Sequence, residues 1–204
     1  MTAASSTHQH GAASLRDLLE ARASAKEIEA FLDALAPTAR VEEVLRVTGV
    51  GDKRLYDAVA DAPTLTLEEL IPQGVKGTVI YQGRNSLPLF SRFQKRVARV
   101  SGGSVVVGYN HQTMAAFTGP GYFIVKPASG EGEHGKELLF DYTEAPPAQP
   151  DGWPRYSPND RGLSKAVYGN MKDYVRRVAR GVVVGKAYKL GVDQKAYFSL
   201  SLGE

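Results

Sequence analysis

The sequence predicts an α+β protein in which N-terminal short helices are followed by an antiparallel, barrel-like β-sheet with one late amphipathic helix. Three observations predict it. Helix-start residues Ser14, Ser24 and Pro37 each precede an apolar stripe at helical spacing. After Gly74 the texture changes to short β-branched and aromatic runs divided by Gly and Pro. Hydrophobic residues make up 43% and charged residues 23% of the 204, the balance of a chain with a real core.

Taken in order, residues 1–13 are small and polar and read as a disordered tail. Residues 14–72 form a helical segment. Ser14 caps a helix carrying Leu15, Leu18 and Leu19. Ser24 opens the next, with Glu27 as its capping-box partner and Ile28, Phe31, Leu32 and Leu35 as its stripe. Pro37 suits the first residue of a third helix. Gly49 and Gly51 break the pattern before a fourth helix with Leu55, Tyr56 and Val59.

Residues 76–204 form the β-rich, barrel-like domain. Strands are expected near Gly77–Tyr81, Ser104–Asn110, Tyr122–Lys126, Lys136–Tyr142, Val182–Tyr188 and Lys195–Leu202. Leu87–Val100 has the spacing of a helix passing into a strand, with a strand from Phe93 onward also open. Leu163 to Arg180 reads as the late helix. Leu163, Val167, Met171, Tyr174 and Val178 make its apolar face, and Gly181 stands at its end.

Composition excludes whole classes of chemistry. The chain has no cysteine, so there is no disulfide, thiolate metal site or thiol nucleophile. No HxH or HExxH spacing occurs on an ordered element, so no metal site is expected, and no cofactor fingerprint appears. No apolar run reaches membrane-spanning length, and the first residues lack the pattern of a secretory signal, so a cytoplasmic protein is expected. Residues 1–72 hold 7 Lys/Arg against 12 Asp/Glu, and residues 73–204 hold 18 against 10. The two parts therefore dock on each other or merely differ in surface charge, or else the second part meets an anionic partner.

The order of the C-terminal part (an early strand, antiparallel strands, a late helix, two closing strands) resembles the lipocalin-like (calycin) barrels over residues 76–202. Gly77-Thr78-Val79 stands where that family often has Gly-x-Trp, and no binding residue is carried over. The resemblance implies an up-and-down barrel holding a small ligand. A second, shorter likeness lies at Thr48-Gly49-Val50-Gly51-Asp52-Lys53, which resembles the turn of a helix-hairpin-helix element and implies contact with a DNA phosphate.

The leading expectation is thus non-catalytic binding of a small apolar or amphipathic ligand, an anionic head included. Aromatic and basic strand residues are its candidate contacts: Tyr81, Arg84, Arg96, Tyr109, His111, Tyr122, Tyr142, Lys186 and Tyr188. Nucleic-acid binding through residues 48–54 and the basic C-terminal part is one alternative. An enzyme using His111 as general acid or base is another.

Overall fold

The computed structural model describes residues 14–72, 74–86, 91–112, 115–128 and 132–203. The expected tail at 1–13 lies outside them. Four helices come first: α1 (Leu15–Glu20), α2 (Ala25–Ala34), α3 (Pro37–Arg46) and α4 (Val50–Ala58). Ser14 with Asp17, and Ser24 with Glu27, close reciprocal capping boxes that satisfy the first free N–H groups of α1 and α2. Gly49, at φ +58°, turns the chain into α4, a conformation cheap only for glycine. A one-turn helix α5 (Leu67–Leu70) follows, capped by Thr66 and Glu69.

Eight strands then wind in sequence order into a closed antiparallel barrel. They are β1 (Val79–Asn85), β2 (Arg92–Val100), β3 (Val105–His111), β4 (Tyr122–Pro127), β5 (Leu138–Asp141), β6 (Met171–Ala179), β7 (Val182–Lys189) and β8 (Val192–Leu202). β8 closes onto β1, with Tyr81 opposite Leu202 and Asn85 opposite Phe198. Closure leaves no free sheet edge. Two short helices cover one end, α6 (Ala115–Thr118) and α7 (Gly162–Tyr168).

Residues 92–100 are strand throughout; 87–90, where the helical alternative fell, lie outside the described residues. The late helix is present but ends at Tyr168, and residues 171–179, expected to continue it, form β6. Asn170, at φ +56°, breaks the helix. Met171, Asp173 and Val175 then alternate inward, opposite Lys189, Ala187 and Gly185 of β7. The barrel needs a strand between β5 and β7, and ladder pairing on both sides overrides a helical spacing that was compatible with either state. Gly181 accordingly sits in the β6–β7 turn, at φ +68°, and not at a helix end.

Inside, rings fill the wall where glycines make room. A Cβ on Gly185 would lie 2.1 Å from the Phe198 ring, and one on Gly108 would lie 2.4 Å from the Phe123 ring. Outside, α2–α4 pack on β6, β7, β8 and β1, and α1 packs on these helices, around a second core that includes Leu15, Ile28, Leu32, Leu55, Val182 and Val184. Charge reinforces this docking: Arg177 bonds Glu29 at 2.6 Å and Glu69 at 2.9 Å, and Arg84 donates to the Leu45 carbonyl at 2.7 Å.

Candidate functional site: a polar cluster in the barrel mouth

The two ends of the barrel differ. One end is plugged. Leu65, Leu70 and Ile71 pack into it, the Tyr81 hydroxyl donates to the Leu70 carbonyl at 2.9 Å, and Arg99 donates to the Leu67 and Ile71 carbonyls. The other end keeps a cavity of about 160 Å³ under α6 and α7, lined largely by apolar groups of Phe93, Val167, Tyr168, Met171, Ala187 and Phe198.

Set in that apolar lining are four buried polar residues. Lys95 stands on β2 between Phe93 and Val97, and strand alternation sends all three inward. Asn110 lies opposite Lys95 on β3. Tyr142 follows β5, and Asp173 on β6 faces Phe140. The Lys95 ammonium donates three bonds: 2.5 Å to the Tyr142 hydroxyl, 3.1 Å to Asn110 Oδ1 and 3.1 Å to Asp173 Oδ2. Tyr142 in turn donates to Asp173 Oδ2 at 3.2 Å, and Asn110 Nδ2 donates to the Tyr142 hydroxyl at 3.2 Å. Lys95 is also ringed by aromatics, the nearest being Phe198 at 4.7 Å and Phe123 at 4.9 Å from ring centre to Nζ.

Burial dominates the electrostatics. It lowers the Lys95 ammonium from its ordinary range and raises the Asp173 carboxyl, and each partner's charge opposes the other's shift. Burial also lifts the Tyr142 hydroxyl well above its usual value, so Tyr142 stays a donor. One atom in this network has no partner: Asp173 Oδ1. A buried carboxylate oxygen without a donor is costly, and such a position calls for a hydrogen-bond donor.

The lid is held by polar contacts. Gln112 Nε2 donates to the Tyr168 hydroxyl at 2.9 Å and to Thr118 Oγ1 at 3.1 Å. The Tyr168 ring stacks on Tyr142 at 5.6 Å and fills the space over Gly121, where a Cβ would come within 2.5 Å of it.

Of the nine residues singled out from sequence, Tyr142 lines this cavity. Tyr81 faces the interior but is spent at the plugged end. The other seven lie outside the cavity lining. Tyr109 meets the Trp153 ring edge-on, Tyr122 lies tilted against it, and the Tyr122 hydroxyl donates to Pro154 O. Arg96 bonds Gln94 and the Tyr109 hydroxyl, Lys186 pairs with Asp193 at 3.0 Å, and Tyr188 packs against His134. Arg84 reaches α3 at Leu45 O. His111 is exposed on the rim, its imidazolium disfavoured first by partial burial and then by Arg96.

Lys95 was not singled out from sequence; its inward place between Phe93 and Val97 follows only once residues 92–100 are a strand. Asp173 was hidden by the helical reading of its segment. In the Gly49–Lys53 turn, Asp52 is buried against Ser199 and Lys53 is paired with Asp57. Among the described residues no group of three or more His, Asp or Glu is placed to hold a metal ion, and no helix is long and apolar enough to cross a membrane.

No family model, curated protein or solved structure matches the chain.

Proposed function

We propose that the protein binds a small amphipathic molecule in the barrel mouth, in the manner of lipocalin-like barrels, without catalysing its conversion. Eight strands in sequence order around a closed wall support the likeness. The observation that carries the reading is an unpartnered buried oxygen on Asp173, a residue that lines an apolar cavity. A ligand fills both needs if it has an apolar body and a hydrogen-bond donor at one end. Size narrows the class: an apolar cavity of roughly 150 Å³ accommodates benzene, so a single-ring molecule with a hydroxyl or amine head fits the 160 Å³ here. Because Asp173 balances Lys95, an anionic head is the less favoured variant.

Titration calorimetry with benzylamine, benzyl alcohol and benzoate tests this. The amine or the alcohol is expected to bind more tightly than benzoate, and binding is expected to be lost when Lys95→Met and Asp173→Leu are combined. Binding by none of the three, or tightest binding by benzoate, sinks the reading.

Nucleic-acid binding is the weaker reading. The Gly49 turn is flanked by Glu42, Glu43, Asp57 and Asp61. Its lysine is already paired, and affinity for nucleic acid is largely electrostatic.

A further inference from the structure

Six large apolar side chains stand exposed among the described residues: Val50, Val75, Phe117, Leu163, Leu190 and Val192. Singly exposed apolar residues need no explanation, but their grouping does. Four of the six lie at the mouth end of the barrel, each 61% exposed or more. Phe117 is on α6, Leu163 on α7, and Leu190 and Val192 on the β7–β8 hairpin.

These three elements are braced to one another. Lys189 Nζ donates to the carbonyls of Lys165 at 3.3 Å and Ala166 at 2.9 Å, and the Leu190 amide donates to Asn170 O at 3.1 Å. α6 packs on α7. The rim is a platform, with its apolar side chains turned to solvent.

Charge on the same end is one-sided. The acids Glu144, Asp160 and Asp193 each have a cation nearby: Lys126 at 2.6 Å, Arg161 at 3.9 Å and Lys186 at 3.0 Å. Exposed Arg92, Lys165 and Lys195 have no carboxylate within ion-pair distance among the described residues. Apolar side chains projecting beside bases that are not held in ion pairs suit an interface of apolar tails below anionic head groups. A second copy of the same rim would bring these bases against each other.

We propose that the mouth of the barrel docks on an anionic lipid surface through Leu163, Leu190, Val192 and Phe117, steered by Arg92, Lys165 and Lys195. The cavity opens at this end, so docking would let an apolar ligand enter from the bilayer. The docking itself does not depend on the identity or the existence of such a ligand.

Co-sedimentation with vesicles of equal parts phosphatidylcholine and phosphatidylglycerol tests it, with pure phosphatidylcholine vesicles as reference. Wild-type protein is expected to sediment with the anionic vesicles, with affinity falling at least about tenfold between 50 and 500 mM salt as screening shortens the electrostatic range. Combining Leu163→Ser and Leu190→Ser is expected to weaken binding at least about tenfold, through lost apolar insertion. Val75→Ser, which removes an exposed valine away from the rim, is expected to leave it within about twofold. Three results overturn the proposal: no sedimentation, equal sedimentation with neutral vesicles, or equal weakening by Val75→Ser. Self-association of the wild type that the double serine variant abolishes also overturns it, because a second copy then occupies the rim.

Discussion

The two halves of the barrel interior are built on the same wall and solve the problem of filling it differently. In the inner half Phe123 and Phe140 stack face to face, 4.9 Å apart at 7°, and Val79, Leu138, Val175 and Leu200 close around them. In the mouth half, Lys95, Asp173, Tyr142 and Asn110 form a directional network beside open space. Apolar side chains interdigitate in any orientation that excludes water. Hydrogen-bonding groups must hold fixed angles and distances, so they do not collapse into the space beside them. The filled half therefore stabilises the fold, and the mouth half preserves a shaped vacancy.

Removing a ring from the filled half is expected to have the largest effect. Phe140→Ala should destabilise by about 4 kcal/mol, the sum of lost transfer energy and the void left behind, read by denaturant unfolding. In the mouth half, Asp173→Ala leaves the Lys95 charge buried without its partner and should cost about 3 kcal/mol. The pair Lys95→Met with Asp173→Leu removes both charges and should come out neutral or more stable than wild type, although it abolishes ligand binding. If the double variant is as unstable as Asp173→Ala, the mouth cluster is a structural brace and the contrast between the halves fails.

The smallest effect belongs to a buried carboxyl outside the wall. Asp52 sits between α4 and β8, where Ser199 Oγ donates to its Oδ1 at 2.7 Å, and its Oδ2 is unpartnered. Burial raises it to about 7, against the lowering effects of Ser199, the Gly49 amide and Arg84. The folded state thus holds a proton that the unfolded chain releases near its ordinary value of 3.8. This group's contribution is fully present below about pH 4, falls as pH rises, and is lost above about 7. Asp52→Asn should stabilise by about 1–2 kcal/mol at pH 8, and the gain should fade by pH 5 in thermal scans. A gain that persists unchanged at pH 5 shows that the carboxyl is not protonated in the fold. Asp52 would then be a charge kept by its surroundings.

Much of this was legible in particular residues. Ser14-x-x-Asp17 and Ser24-x-x-Glu27 announce two helix starts because capping is local chemistry. Gly49 and the Gly/Pro clusters mark turns for a similar reason, whereas Gly181, read from sequence as a helix end, lies in the β6–β7 turn. Six of the eight strands were expected as separate runs, and β2 was one of two readings for its segment. β6 was missed because Leu163, Val167, Met171, Tyr174 and Val178 fit a helix, while Met171, Asp173 and Val175 equally fit a strand. Tyrosines alone did not reveal the site: Tyr109, Tyr122 and Tyr188 make tilted or edge-on ring contacts outside the cavity lining, and Tyr142 alone among the candidates lines the cavity.

From sequence alone came a short-helix segment ahead of a barrel-like sheet and the absence of cysteine chemistry. These follow from propensity, capping and alternation, which act over a few residues. The partner of Lys95, the cavity beside it, the plugged end and the apolar basic rim were decided only by the tertiary structure. Each depends on bringing together residues far apart in sequence: Lys95 meets Asp173, 78 positions away, only when the wall closes and the β5–β7 gap recruits residues 171–179 as a strand.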